Sequence, residues 1–181
     1  MSLSLVKGQS LDLNKQTGKT LTKVRLGAGW DVADGKSVDL DLIIIPKGGQ
    51  PCYFNNMNIP GAVLDKDDRS GGSSKDGADE NITIDVAALA QQEYTVLIAI
   101  YDAVTKGQFL KDVKRAFVEV VDLETNTKIF TYDITAHGGD NSALVAGKLV
   151  KVNGGLEFTA LEEFSNQDLG ALITEKGGLL S

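Results

Sequence analysis

Short stretches in which apolar and polar residues alternate recur along most of the chain, and this period of two is the strongest constraint on its fold. In VDLDLIII (38–45) the even positions are apolar and share one face, whereas Asp39 and Asp41 share the other. YTVLIAIY (94–101) is apolar on both faces, which is typical of a central strand in a sandwich. Turns rich in glycine, aspartate and asparagine separate these stretches. The sequence therefore predicts an all-β fold, an antiparallel β-sandwich.

The length of 181 residues suits a single domain over residues 1–181, and no internal repeat or linker divides it. Helical spacing is clearest in SNQDLGALITEKGG (165–178), where Ser165 can cap a helix and Gly177 can end it. We expect a short C-terminal helix that packs on the sandwich or on a partner.

The charge balance limits the classes of partner. The formal net charge of −7 argues against nucleic acid and against constitutive docking on anionic lipid, and it is compatible with binding cations. Cys52 is the only cysteine, so an intramolecular disulfide is excluded and a reducing compartment is favoured. No secretory signal pattern opens the chain, and its apolar runs are too short to span a membrane. We expect a cytoplasmic protein without a transmembrane segment.

Acidic side chains are expected to converge at one end of this sandwich. The segment 55–81 reads as one long loop, which in a compact domain is usually functional. It closes with SKDGADENITIDV (74–86), which crowds three carboxylates just before a strand. If each strand reverses the chain direction, the same end receives Asp31, Asp39, Asn55, Asn56, Asp76, Asp79, Glu80 and Asp102. The sequence therefore predicts long acidic loops that meet at one end.

An oxygen-only rim without histidine or cysteine matches calcium, which takes about six to eight oxygen ligands. Without a cation, such carboxylates would repel one another. The alternative remains that the loop is solvated acidic surface, since a Gly/Ser-rich acidic loop most often is. The segment DKDDRSGGSSKD (65–76) begins like an EF-hand, but Ser70 replaces the required glycine and Asp76 the final glutamate, which excludes that motif.

Several motifs together resemble the TerD family, named for bacterial tellurium resistance. The resemblance runs over most of the chain, through SLVKGQSLDLNK (4–15), LGAGWD (26–31), VDLDLIII (38–45), YFNN (53–56), KDGADENITIDV (75–86) and IYDAVTKGQFLKDVKRAFVEVVD (100–122). It implies a β-sandwich with calcium sites in acidic loops at one end, a role in the response to tellurite and other chemical stress, and no settled enzymatic activity.

By the same resemblance, calcium ligands are expected at Asp31, Asp39, Asp41, Asn55, Asn56, Asp79, Glu80 and Asp102, with Asp76 where a glutamate is common. The chain departs from the family pattern at Ala78, which replaces the first aspartate of Asp-Asp-Glu, and DDRSGG (67–72) echoes a Gly-Asp-Asn-x-x-Gly element only loosely. The tail after residue 155 differs as well. These departures indicate a divergent member with a weaker or single site.

Three functions follow from these patterns. In the first, calcium orders the acidic loop and fixes a surface for a protein or a membrane-associated partner. In the second, the chain is a scaffold module without functional metal binding, in which Ile43 and Ile45 form a subunit interface, unless the second half of the chain buries them. In the third, His137 and its neighbours in YDITAHGGDNS (132–142) serve a metal-assisted hydrolase, although a lone histidine beside Gly-Gly favours a turn residue.

Overall fold

The computed structural model describes residues 2–32, 37–71, 77–134 and 139–180. In chain order its strands are β1 (Leu3–Ser4), β2 (Ser10–Asp12), β3 (Lys23–Val32), β4 (Leu40–Pro46), β5 (Asn58–Ile59), β6 (Ala62–Leu64), β7 (Glu80–Asp85), β8 (Glu93–Ile100), β9 (Val113–Asp122), β10 (Thr127–Asp133), β11 (Ala143–Val152) and β12 (Gly155–Ser165). Its helices are α1 (Leu13–Thr17), α2 (Ala103–Lys106) and α3 (Leu169–Glu175), with 3-10 turns at Val86–Ala88 and Leu110–Asp112.

The strands form two sheets that face each other. One has seven strands in the order β1-β10-β9-β3-β7-β6-β5, and the other has five in the order β2-β12-β11-β8-β4. Among the described strands the pairs are antiparallel except β1 with β10, which run parallel. The predicted antiparallel β-sandwich is therefore confirmed, with one parallel pair at a sheet edge.

The core between the sheets follows from the alternating pattern. Leu40, Leu42 and Ile44 of β4 point into it, as their even spacing predicted, and all three are fully buried. Across the core the rings of Phe130 and Phe158 lie 4.6 Å apart, so side chains from both sheets meet there. Because the period of two sends alternate residues to opposite faces, Asp41 and its odd-numbered neighbours must lie on the outer side of the five-stranded sheet.

A second apolar cluster covers that outer side. Ile43 and Ile45 of β4 are fully buried there against Leu172 and Ile173 of α3. The predicted C-terminal helix is therefore confirmed, and it packs on the sandwich. The alternative that Ile43 and Ile45 are buried by the second half of the chain is confirmed as well, and with it the basis for a subunit interface at these residues disappears.

The cap of α3 differs from the prediction. Asp168, not Ser165, caps the helix, because its Oδ1 accepts a hydrogen bond from the Ala171 amide at 3.1 Å. Ser165 ends β12, and its Oγ accepts from the Gln167 amide instead. Gly177 lies just beyond the helix with φ at 87°, in the left-handed region expected of a terminating glycine.

The segment 55–81 is not one irregular loop. It contains the small hairpin β5–β6, which sequence analysis missed although Pro60-Gly61 is a turn signal. Gly61 has φ at 81°, and a Cβ there would come within 2.6 Å of the Leu89 amide nitrogen, so glycine is required. The hairpin carries the chain back to the end of the sandwich at which β4 begins and β8 ends, which we call the upper end.

Candidate metal centre

The free edge of β4 is closed by groups from the other sheet. The indole Nε1 of Trp30 donates to the Val38 carbonyl at 2.9 Å. The Leu42 amide donates to Oε2 of Glu80, the first residue of β7, at 2.8 Å. These contacts fix the start of β4 relative to β3 and β7, and they hold the alternating outer positions, Asp39 and Asp41, at the upper end.

The carboxylate of Glu80 also anchors the acidic loop that follows β6. Its Oε1 accepts a hydrogen bond from the Asp68 amide at 3.0 Å, so one buried side chain joins β7, β4 and the loop. Burial raises the pKa of Glu80 to about 8, although the Leu42 and Asp68 amides act in the opposite direction. Both oxygens of Glu80 are therefore engaged in holding backbone.

The loop turns on Asp68 and Gly71. Oδ1 of Asp68 accepts from the amides of Ser70 and Gly71 at 2.9 and 3.0 Å, which folds the chain back. Gly71 has φ at 68° and lies against the Trp30 indole, where a Cβ would clash with the ring. The loop therefore packs on the tryptophan at a position that admits only glycine.

This arrangement brings three aspartates together. Asp39 and Asp41 come from β4 and the residues before it, and Asp67 comes from the loop beside the anchored Asp68. One carboxylate oxygen of each lies within 4.8 Å of the others, a spacing suited to a shared cation. Asp39 and Asp41 were predicted as ligands; Asp67 was not, although the loose echo of a family element in DDRSGG (67–72) was a signal for it.

Two oxygens of this cluster lack hydrogen-bond donors. Oδ1 of Asp39 and Oδ2 of Asp41 are buried, and no donor in the described residues reaches them. Burial raises the pKa of Asp41 to about 8, and the negative charges of Glu80, Asp39 and Asp67 add to the effect. The pKa of Asp39 is also raised, first by burial and then by Asp67. Buried carboxylates without partners are costly, so the cluster is arranged for a positive charge from outside.

The three aspartates lie in a surface cleft of about 510 Å³, which we call the acidic cleft. It is lined by Ser37, Asp39, Asp41, Phe54, Asn55, Asp67, Arg69, Tyr101 and Lys106. Phe54 and Tyr101 pack edge to face with their ring centroids 5.3 Å apart, and so form an aromatic wall. Asn55 also lines the cleft, and an asparagine can offer calcium an amide or carbonyl oxygen.

Three further predicted ligands, Asp31, Asn56 and Asp79, do not line the acidic cleft. Asp31 is at the upper end of β3, with its carboxylate 3.8 Å from Arg115 on the neighbouring strand β9. Asn56 donates its side-chain amide to the Pro51 carbonyl. Asp79 is buried, and its Oδ2 accepts from the Trp30 amide at 2.9 Å.

Asp102 borders a second cleft of about 470 Å³, which shares Asp41, Phe54 and Tyr101 with the acidic cleft. Asp102 has φ at 55° and precedes α2 without capping it. Asp76 lies outside the described residues. Ala78, the departure from the family pattern, packs against β3. A Cβ atom added at Gly27 of β3 would lie only 2.5 Å from the methyl carbon of Ala78.

The residues considered for a hydrolase have different partners in the described structure. His137 lies outside the described residues. Asp140 forms an ion pair with Lys111, and the Ser142 hydroxyl donates to the Ser165 carbonyl at 3.5 Å. In the described part of the chain, Asp140 and Ser142 are thus not held together as a catalytic pair.

Fold and site together define a β-sandwich with a cluster of three aspartates at one end that could hold a metal ion. The TerD domain model matches residues 1–175, and the chain belongs to the TerD family. It is 30% identical to general stress protein 16U of Bacillus subtilis (strain 168), over 98% of each chain, and 29% identical to the tellurium resistance protein TerD of Alcaligenes sp, over 89% of this chain and 90% of that one.

Solved structures share the fold at low sequence identity. The TerD homologue SCO6318 from Streptomyces coelicolor A3(2) superposes with a TM-score of 0.68 at 20% identity, over 87% of this chain and 98% of that one. The protein SAV2460, of unknown function, gives a TM-score of 0.68 at 21% identity, over 90% of this chain and 100% of that one. Across the residues that the structure describes, helices long and apolar enough to cross a membrane are absent.

Proposed function

We propose that this chain is a calcium-binding stress-response protein of the tellurium-resistance type, built as one domain. The observation that carries the proposal is the pair of buried, unpartnered carboxylate oxygens of Asp39 and Asp41, with Asp67 close by. The role in stress rests on relatives named general stress protein and tellurium resistance protein.

Calcium suits this donor set better than other common ions. The three clustered ligands are carboxylates, and neither histidine nor cysteine takes part in the described cluster, which disfavours zinc and copper. Magnesium requires a small and nearly ideal octahedron, whereas calcium accepts irregular oxygen ligands from a strand, a loop and water. Asp39, Asp41 and Asp67 bind the ion in this proposal, and Asn55 can complete the protein ligands.

The remaining acidic residues have different roles in the proposal. Glu80 and Asp79 support the site, because each accepts hydrogen bonds from backbone amides that position β3, β4 or the loop. Asp31, Asn56, Asp76 and Asp102 stay predictions as ligands. With Ala78 packed against β3, we propose one principal site at the acidic cleft rather than two equal ones.

Calcium acts here as a structural switch without catalysis. The ion neutralises the three aspartates, fixes the loop at residues 65–71 on β4 and orders a surface at the upper end for a protein or membrane-associated partner in the cytoplasm. A ligand that binds only the folded state also raises its stability. The scaffold alternative would need the same surface to work without an ion.

Isothermal titration of chelator-stripped protein with calcium tests the proposal. The wild type should bind, and Asp41→Asn should lose the heat signal, because a carboxamide removes the charge of the most buried ligand. Asp140→Asn is the matched control at the same end, since Asp140 is paired with Lys111 and does not line the acidic cleft. Absence of heat from the wild type at millimolar calcium would refute the calcium site.

A further inference from the structure

Two cationic side chains line the acidic cleft beside the three aspartates. Arg69 donates through Nε to Oδ2 of Asp67 at 3.1 Å, which engages one of the five donors of its guanidinium. The ammonium of Lys106 lies 5.1 Å from the centroid of the Tyr101 ring, and within the described ranges it has no carboxylate partner. Among the residues that the structure describes, most donors of both groups therefore have no partner.

The net charge of the acidic cleft becomes positive when a divalent cation binds. Without the ion, the carboxyl groups of three aspartates face two cations, so the cleft carries at most one net negative charge. With the ion, four positive charges face three negative ones. The carboxyl groups of Glu80 and Asp79 do not line the cleft and accept hydrogen bonds from backbone amides. An occupied cleft would therefore attract an anion.

Space and coordination lead to the same class of ligand. Calcium takes about six to eight oxygens, and three aspartates with Asn55 leave positions open to the cleft. The volume of about 510 Å³ lies within the range of small-ligand sites, roughly 300–1,000 Å³. A tetrahedral oxyanion can place one oxygen on the ion and present others to Arg69, whose planar fork of donors matches phosphate.

We infer that the calcium-loaded acidic cleft binds a phosphate monoester, which coordinates the ion and is held by Arg69 and Lys106. This inference rests on the calcium site proposed above and names the chemistry that the ordered surface recognises. The phosphate can belong to a soluble ester or to a lipid headgroup. Tyr101, which lines the acidic cleft, is 45% exposed, and Val104 of α2, which lines the adjoining second cleft, is 91% exposed, so apolar groups are available at a membrane surface.

Calorimetry with glycerol 3-phosphate, in calcium and in chelator, tests the inference. The wild type should bind the ester only with calcium. The double variant Arg69→Gln/Lys106→Gln should bind it at least about tenfold more weakly, because it lacks both cationic partners of the phosphate. Its calcium affinity without the ester should not fall, since neither residue is a ligand. Lys148→Gln is the control, a lysine paired with Glu93 away from the cleft.

The outcomes separate this inference from the calcium proposal. The inference would be overturned, and the calcium site would remain, if the wild type binds calcium but its ester binding does not depend on calcium. The same holds if Arg69→Gln/Lys106→Gln binds the ester as tightly as the wild type. Absence of calcium binding would refute both. Ester binding that needs calcium and both cations supports the inference.

Sedimentation with vesicles distinguishes the two sources of phosphate. Phosphatidylcholine vesicles with and without phosphatidic acid, in calcium, provide the lipid monoester and its control. If the phosphate belongs to a lipid, the wild type should sediment only with vesicles that contain phosphatidic acid. Val104→Asp should then no longer sediment with them but should still bind glycerol 3-phosphate. Binding to glycerol 3-phosphate alone supports a soluble ester. Undiminished sedimentation of Arg69→Gln/Lys106→Gln would overturn the shared chemistry.

Discussion

Asp41 at the upper end and Asp122 at the lower end are equally buried, each 2% exposed, yet their surroundings are opposite. Asp122 contacts the Lys19 ammonium at 2.8 Å and accepts from the Thr125 hydroxyl and the Glu124 amide. Burial raises its pKa, but these hydrogen bonds outweigh burial and the net pKa is lowered. Oδ2 of Asp41 meets no donor in the described structure, and its pKa is raised to about 8.

The contrast separates structural carboxylates from those arranged for a ligand. A buried carboxylate whose partners are all supplied by the chain stabilises the fold by itself. One without such partners destabilises the calcium-free fold and gains most from an added cation. The distinction depends on which donors the fold brings to each carboxylate oxygen.

Calcium should raise the melting temperature by about 5–10 °C at a concentration of about 100 times Kd, since such occupancy adds about 2.7 kcal/mol. Asp41→Asn should abolish this rise, because the neutral amide removes the charge that the ion compensates. Differential scanning fluorimetry with calcium and with chelator measures both. A full rise in Asp41→Asn would show that the contrast with Asp122 has no bearing on calcium.

Asp122→Asn should behave in the opposite way. It should lower the free energy of unfolding in chelator by about 1–3 kcal/mol, because its charge-assisted hydrogen bonds are lost. The calcium-induced rise in melting temperature should remain, since the residue is at the other end of the sandwich. Urea unfolding in chelator and in calcium checks this. Loss of the calcium effect in Asp122→Asn would contradict the separation of the two ends.

The calcium-free protein should lose stability as pH rises, on account of Asp41. An acid whose pKa is raised in the fold keeps its proton there after the unfolded chain has lost it, so its contribution is full below the unfolded pKa and is lost as pH rises to about 8. The free energy of unfolding should fall, relative to Asp41→Asn, by roughly 1.4 kcal/mol per pH unit at the steepest.

Urea midpoints of the wild type and Asp41→Asn at pH 5, 6, 7 and 8 in chelator measure this difference. Saturating calcium should remove it, because the ion stabilises the charged form. A difference between the two proteins that stays constant with pH would show that Asp41 has an ordinary pKa.

Asp31→Asn should have the smallest effect of these substitutions on stability and on calcium affinity. The carboxylate is half exposed and 3.8 Å from Arg115, and such surface pairs contribute about 0–1 kcal/mol. Its calcium affinity should stay within about twofold of the wild type, because Asp31 does not line the acidic cleft. Calorimetry decides: a loss of tenfold or more would return Asp31 to the ligand set that the family resemblance predicts.

The sequence predicts the sheets well because burial of alternate residues is a local pattern. The same pattern places Asp39 and Asp41 together on the outer side of β4, as the structure has them. The C-terminal helix follows from its apolar spacing, and the segment covering Ile43 and Ile45 is that helix. These predictions need only the period of each element and the directions of its side chains.

The site needs information that a local pattern does not contain. The sequence places Asp79 and Glu80 at the correct end of the sandwich. Their charge alone does not predict that they accept hydrogen bonds from the backbone amides of Trp30 and Leu42. Asp67 reaches the cluster because an unforeseen hairpin and the anchor at Asp68 return the loop to β4. Such placements depend on the contact between two sheets, which no single stretch encodes.

Trp30 is the only tryptophan in the chain, and the fold places it where the acidic loop meets β4. Its indole donates to the Val38 carbonyl just before Asp39, and Gly71 at the far end of the loop packs on the same ring. Tryptophan fluorescence therefore reports on one indole that contacts both the residue before Asp39 and the loop that carries Asp67. The protein thus carries an optical probe of the proposed ion site, which needs neither label nor substitution.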